Sequence, residues 1–541
     1  MTAAHVVLWA MAASAGDGAP AREPPPLFDN LGRYHRPISS KSKEAQAYFD
    51  QGLRLIYAFN HEEAQAAFEE AARRDPSCAI CFWGAALTLG PNINLPAIPE
   101  RARAAWQLLR KAQGLSRGAS PVERALIAAL GKRYTDPPPA DPQKQSAQDA
   151  AYADAMRRVA RWFPADPDVA TLFAESMMDL RPWDLWTLEG QPQPGTQEIV
   201  STLEKVLLAH PNHPGANHYF IHAVEASPHP EHALTSAEKL KTLVPGAGHL
   251  VHMPAHVYIR TGRYEEGSEA NRRAIAADAA YAASHQDRPI YSMYVAHNFQ
   301  FLVATTMMEG RAAESLQAAR DMLQRVPLEM FKEMPGYDFL LAYPVQVLVR
   351  FGRWQEVLSE APPPEELLVA RTLWLHARGL AQLRTGDPAG AARSLQDIEA
   401  VLARLPPDAR VNLNSARDVL EIARGSLAGE LARSRGDLAA ALTALRGAVA
   451  QEDRLRYDEP PNWLLPVRHQ LGVALLAAGK PLEAEQVYRE DLRRNPHNGW
   501  ALYGLSQSLE AQGKTAHAKV SQQSFADAWK RADVQLTASA F

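Results

Sequence analysis

Along residues 464–496, LLPVRHQLGVALLAAGKPLEAEQVYREDLRRNP, apolar positions return every three or four residues, pause at AAGKP and then return on a second run. That period belongs to amphipathic helices, and the pause to a turn between two of them. Gly472 and Ala484 are small where the helices must approach; Gly479 closes the first and Pro496 stops the second. Similar units begin near residues 45, 214, 248, 338 and 499, with further amphipathic stretches at 144–163, 290–309 and 364–403. Alternating β-branched runs are almost absent, so the pattern predicts an all-α chain of stacked helix pairs over roughly residues 40–530.

The spacing of Leu471-Gly472, Leu475, Gly479, Ala484, Tyr488 and Pro496 resembles the tetratricopeptide repeat (TPR) family, whose unit is about 34 residues. The resemblance implies a TPR-type helical-repeat superhelix, an α-solenoid, with loop insertions. The expected organisation is a signal segment at 1–15, a Pro-rich leader at 16–40 and N-terminal repeats at 41–89. An insertion with irregular helices at 90–143 precedes central repeats with a His-rich groove at 144–310. Irregular helical repeats at 311–460 and C-terminal repeats at 461–541 complete the chain. Two loops depart from the repeat: GPNINLP with its continuation to 97, and LRPWDLWTLEGQPQPGTQ at 180–197, where Trp183, Asp184 and Trp186 stand out. Long loops inside a compact array are often functional.

Composition narrows the partners. The 541 residues are 46% apolar, ample for a core, and 57 Lys+Arg against 61 Asp+Glu leave a net charge of -4. No basic block is long enough to track a phosphate backbone, so nucleic acid is not expected as a partner. The N-terminal AAHVVLWAMAASA has the length of an export signal and ends in Ala13-Ser14-Ala15, although it lacks a basic flank. Elsewhere no run reaches the ~20 apolar residues of a membrane span. The expectation is an exported protein, periplasmic or secreted, with no transmembrane segment. Cys78 and Cys81 are the only cysteines; in an oxidising compartment they would form a local disulfide, with free thiols or a redox or Cu(I) role as the other readings.

Candidate chemistry gathers in HYFIHAVE, residues 218–225, and GHLVHMPAH, residues 248–256. Nine of the eighteen histidines fall between His210 and His256, and both His218 to His252 and His222 to His256 span 34 residues. The two groups therefore occupy equivalent places in consecutive repeats. On helices, His218, His222 and Glu225 share one face, as do His249, His252 and His256. The TPR resemblance implies that such faces, on first helices, line the concave groove. His297 takes a similar place on the helix predicted at 290–309. His210, His213, His229 and His232 lie in turns, where capping explains them.

Five aligned imidazoles could hold copper, zinc or iron; two histidines with Glu225 could form a facial triad for non-haem iron. The candidate metal ligands are thus His218, His222, His249, His252, His256 and His297. Asn217, Asn298, Asp278 and Tyr258 could support the other ring nitrogens, with Glu225, Asn217 and Asn298 also contacting a ligand in the groove. Were the site catalytic, Tyr219, Tyr258, Glu225 and Tyr294 would be the proton or radical partners. The loops at 90–97 and 180–197 would then close over it. No Walker A loop, dinucleotide fingerprint, HExxH or G-x-S-x-G elbow is present, so no nucleotide cofactor is expected.

Beyond the generic repeat, YAFNH at 57–61, CAICFWG at 78–84, GPNIN at 90–94, NHYFIHAVE at 217–225 and GHLVHMPAH at 248–256 resemble motifs of a group of exported bacterial TPR proteins. Two functions are open on these grounds. One is a solenoid binding a peptide or small molecule at a His-rich metal or ligand site. The other is a metal-dependent oxidoreductase, copper or non-haem iron, on the same scaffold.

Overall fold

The computed structural model describes residues 24–283, 289–326, 328, 331 and 336–541. The candidate signal segment at 1–15 lies outside the described residues. By internal contacts the chain divides into two compact units, one holding the chain up to Val257 with Arg273–Tyr291, the other holding Tyr258–Arg272 and Ser292–Phe541.

The first unit contains α1 (Lys43–Ile56), α2 (His61–Arg74), α3 (Ala79–Leu87), α4 (Pro99–Leu115), α5 (Pro121–Leu130) and α6 (Pro142–Trp162). It continues through α7 (Pro167–Met178), α8 (Thr196–Ala209), α9 (Pro214–Val224), α10 (Leu234–Leu243) and α11 (Gly248–His252). The division cuts α12 (Pro254–Arg260), α13 (Tyr264–Ala282) and α14 (Pro289–Met308). The second unit adds α15 (Ala312–Arg325), α16 (Tyr343–Arg350), α17 (Trp354–Ser359), α18 (Leu368–Arg384), α19 (Pro388–Arg404) and α20 (Ala416–Ser434). Then come α21 (Leu438–Glu452), α22 (Val467–Ala477), α23 (Pro481–Arg494), α24 (Gly499–Ala511) and α25 (Thr515–Ala528). Among the described residues the only strand pairing of two residues a side is antiparallel, Arg410–Val411 with Asn414–Ser415.

The fold is an all-α helical repeat, and its local causes are the expected ones. Proline opens α4 to α7 and α9, where its missing N–H costs nothing. Ser120 and Glu123 form a reciprocal capping box on α5, and Asp166 accepts from the N–H groups of Asp168 and Val169 at the start of α7. In the C-terminal repeats Gly479, at φ +67°, ends α22. A Cβ on either Gly472 or Gly504 would stand 2.2 Å from the Tyr488 ring, so both glycines are needed for that tyrosine to lie between α22 and α24.

Two expectations are corrected. The stretch predicted as irregular at 90–143 holds the regular helices α4 and α5. The leader, which its Pro-rich composition would leave flexible, is docked over its described part. Phe28 N–H donates to Gln51 Oε1 at 2.8 Å, Tyr48 O–H to the Pro25 carbonyl at 3.1 Å, and Gly246 N–H to the Asn30 carbonyl at 2.9 Å. The physical anchor is Arg36, buried with Nη1 2.8 Å from Asp166 and 2.7 Å from Asp168.

Candidate metal centre

The site is built on α9 and on the α11–α12 pair. His213 caps α9, its Nδ1 accepting the Ala216 N–H at 3.1 Å, and Pro214 sets the first helical φ. A Cβ on Gly215 would stand 2.4 Å from the Tyr57 ring, so this glycine lets the turn after α1 press onto α9. Every residue of α9 is buried, which places the imidazoles of His218 and His222 inside the unit. Pro254 cannot continue the ladder of α11, which ends at His252 before α12 resumes. The break leaves His249, His252 and His256 together.

The histidine face expected to line an open groove is instead enclosed. His218, His222, His249, His252 and His256 are at most 5% exposed, and Glu225 is 1% exposed. Phe59 closes it: its ring centroid lies 4.5 Å from that of His218, 5.6 Å from His249 and 6.0 Å from His222. Trp183 stands edge-on to His222 at 5.6 Å, and Trp186 Nε1–H donates to the Ala223 carbonyl of α9 at 2.8 Å, pinning the 180–197 loop to the site helix. Both Phe59 and Trp183 have φ +55°, a left-handed conformation uncommon for aromatic residues.

Within this enclosure, ligand nitrogens of His218, His222 and His249 lie within 4.8 Å of one another. His218 Nδ1 is 2.7 Å from the Tyr57 carbonyl, which can only accept, so the proton sits on Nδ1 and Nε2 carries the lone pair. His222 Nδ1 donates likewise to Glu225 Oε1 at 2.9 Å, and no described group hydrogen-bonds its Nε2. His218 Nε2 and His249 Nε2 are 3.1 Å apart. With His218 Nε2 as acceptor, a proton on His249 Nε2 would be the donor of this contact. Two ligands on one tetrahedral ion at ~2.0–2.1 Å would be separated by roughly 3.3 Å, so an ion fits where that proton is. His252 and His256 continue the cluster, Nε2 to Nε2 at 2.8 Å, and His256 Nδ1 lies 2.6 Å from Glu225 Oε2, off the direction of an aligned hydrogen bond.

Electrostatics prepare the same atoms. Burial drives the His218 imidazole well below its usual range, reinforced by neighbouring His222, and burial also lowers His222 against the pull of Glu225. Both rings are therefore neutral at pH 7, as a ligand nitrogen must be. Burial alone would raise the Glu225 carboxyl, but His256 and His222 override it and hold the group ionised, far below the usual carboxylate range. Glu225 thus faces imidazoles with both oxygens. So placed, the carboxylate orients the His222 ring within the first unit.

The remaining predicted residues fall out as follows. Asn217 does not support an imidazole; its amide donates to the Pro211 and His213 carbonyls at 3.1 and 2.8 Å, fixing the start of α9. Tyr219 is buried beside Phe59 and Tyr57, with centroids at 5.7 and 6.1 Å. Asp278 is buried so close to the start of α11 that a Cβ on Gly248 would be 1.8 Å from its Oδ1. Tyr258, His297, Asn298 and Tyr294 belong to the second unit: Tyr258 and Asn298 are buried, Arg263 lies 4.7 Å over the Tyr258 ring, and His297 contacts Gln300 and Phe301. Cys78 and Cys81 form a disulfide at the start of α3. In the 90–97 loop, Asn92 Nδ2 lies 3.2 Å from His61 Nε2, which ties the loop to the YAFNH segment.

Sequence reasoning missed the Tyr57 carbonyl and the Phe59 ring, although YAFNH had been singled out. It also missed Asp168, which accepts from Tyr34 and Tyr57 hydroxyls at 2.8 and 2.6 Å, from Arg36 at 2.7 Å, and faces His213 Nε2 at 3.2 Å. That network fixes Tyr57, whose carbonyl fixes His218. A cavity of about 110 Å³, lined by Ala58, Asn60, Gly248, His249 and Tyr281 among others, adjoins the site. It has room for several waters or a small molecule.

No protein-family model matches the chain, and no curated protein matches it by sequence. Solved helical-repeat structures do align with it. The human IFIT1 dimer with m7Gppp-AAAA is 11% identical, covering 84% of this chain and 90% of its own, with a TM-score of 0.35. The TPR domain of P58(IPK) is 14% identical over 87% of this chain and 99% of its own at 0.23, and yeast Tom70 is 9% identical over 89% and 90% at 0.31. Among the described residues no helix is long and apolar enough to cross a membrane.

Proposed function

We propose that the first unit binds one transition-metal ion through the Nε2 atoms of His218, His222 and His249, leaving a coordination position for a small molecule that enters by way of the adjoining cavity. The observation that carries the reading is the convergence of three buried ligand nitrogens within 4.8 Å, with the other nitrogens of His218 and His222 committed to fixed oxygens. Structural histidines have no need of that division of labour, whereas metal ligands regularly show it. An imidazole-only donor set suits copper or zinc better than iron. The ligand is a small molecule and not an extended peptide, because a 110 Å³ cavity admits no more than the former. The Cys78–Cys81 disulfide supports an exported, oxidising setting, in which a copper or zinc site would be loaded outside the cytoplasm.

Metal analysis of untagged protein, as purified and after reconstitution with Cu²⁺ or Zn²⁺ and removal of excess ion, tests the proposal. One equivalent per chain is expected, lost in His222→Asn and in His249→Ala variants that keep the wild-type circular dichroism. Protein that takes up no ion on reconstitution refutes it, as does retention of the ion by both variants.

A further inference from the structure

Past Glu225 the chain makes a single helical turn, Pro230–Ala233, whose outer surface carries His229, Glu231 and His232. The backbone beneath these side chains is fixed. Pro230 and Ala233 are buried, and proline locks its own φ. The His229 N–H donates to the Ser227 hydroxyl at 3.0 Å, and the His232 N–H to the His229 carbonyl at 3.2 Å. Pro228 is held from the side by the 180–197 loop, where a Cβ on Gly190 would stand 2.4 Å from the proline ring. Three side chains with metal-ligating atoms therefore stand on a platform that costs them little further ordering.

Their place in a turn makes capping the ready explanation for His229 and His232, and the geometry removes it. His229 occupies the cap position of this turn, yet its ring caps nothing; Nδ1 lies 3.1 Å from Glu231 Oε1 instead. The His232 ring stacks on that of His229, with centroids 5.4 Å apart and planes 14° from parallel. The side chains of His229 and Glu231 are 66% and 50% exposed, and His232 is exposed beside them, so none of the three serves a core. An ion pair this exposed adds little stability. Yet one donor atom from each residue lies within 4.8 Å of the other two. Ligands sharing a tetrahedral ion at ~2.0–2.1 Å stand roughly 3.3 Å apart. The His229–Glu231 pair is already at that separation, and rotation of an exposed ring brings in the third donor.

We propose that His229, Glu231 and His232 bind one Zn²⁺ ion at the surface of the first unit, in a three-ligand site whose remaining position is taken by water. Two imidazoles and a carboxylate are a donor set that zinc takes when it keeps an open position. The same set is too rich in nitrogen for Mg²⁺ or Ca²⁺, which are held by oxygen. The site shares no ligand with the enclosed histidine centre and does not rest on it. Because it faces solvent, its ion exchanges readily and leaves when excess ion is removed.

Carbethoxylation of the histidines in untagged wild-type protein, mapped by peptide mass spectrometry with and without Zn²⁺, tests the proposal without a mutation. At about 100 µM Zn²⁺, a hundredfold above a micromolar Kd, labelling of His229 and His232 is expected to fall roughly tenfold or more. The exposed His210 and His517 should keep their rates, and Mg²⁺ in place of Zn²⁺ should protect none of the four. Glu231→Gln is expected to raise the Zn²⁺ concentration for half protection by roughly tenfold or more, with circular dichroism unchanged. Unchanged labelling of His229 and His232 overturns the proposal, as does equal protection of His210 and His517. An unaltered half-protection concentration in Glu231→Gln overturns the three-ligand set. The His222→Asn protein keeps the two sites distinguishable: protection of His229 and His232 should persist there, whatever happens to the enclosed ion, and its loss would overturn a separate site.

Discussion

Replacing Glu225 by glutamine tests whether the carboxylate organises the imidazoles. The substitution keeps size and shape but exchanges one oxygen for an NH₂ group. In the native site Oε1 accepts the His222 Nδ1–H at 2.9 Å and Oε2 lies 2.6 Å from His256 Nδ1. An amide can offer an acceptor to only one of these rings; the other then meets a donor and must shift its own proton to Nε2, which for His222 is the nitrogen that would bind the ion. If the amide disturbs His222, a ligand is lost outright. If it turns the other way, His222 still loses the basicity that a carboxylate partner gives it. Losing such an outer partner typically costs 10–100-fold in metal affinity, about 1.4–2.7 kcal/mol. We expect Glu225→Gln to weaken Zn²⁺ or Cu²⁺ binding by that factor in competition with a chromophoric chelator, with circular dichroism retained. Glu225→Asp, which preserves the charge, should recover part of the loss. An affinity unchanged within threefold in a folded Glu225→Gln protein would refute the view that Glu225 selects the ligand tautomer.

Three further outcomes follow from other parts of the molecule. Gly215→Ala places a methyl 2.4 Å from the Tyr57 ring and should cost about 1–3 kcal/mol in chemical denaturation and weaken metal binding through His218; Gly114→Ala, exposed with nothing within 4 Å, should cost nothing. Native, unreduced protein should show no reactive thiol, and Cys78→Ser should lower stability by about 2 kcal/mol from loss of a short closed loop; a full two-thiol titre in native protein would count against the disulfide. Asp458, raised to about 7 by burial, binds a proton more tightly folded than unfolded, so its contribution is full below the ordinary carboxylate range and is lost as pH rises from there to about 7. The wild-type minus Asp458→Asn stability difference should therefore fall between about pH 4 and 7, by up to about 4 kcal/mol for three pKa units; a flat difference curve would show that the carboxyl is not held protonated.

How much of this was legible in the sequence depends on the range of the interaction. The α22–α23 and α24–α25 repeats were readable because their determinants are local: a helical period, Gly479 at the turn, and Gly472 opposite Tyr488 only 16 positions on. The two histidine rows were readable for a related reason, since a 34-residue offset between identical residues survives any uncertainty about helix ends. Their burial was not readable. The residue that encloses them, Phe59, and the carbonyl that fixes His218, from Tyr57, lie 161 positions away in the case of Tyr57, and a carbonyl leaves no side-chain signature to search for. The contacts of Glu225 were not readable either, because spacing shows which residues share a face but not which of their atoms point at one another. Once both oxygens are seen to face Nδ1 atoms, a carboxylate that resembled a third ligand becomes the group that decides which nitrogens are free to be ligands.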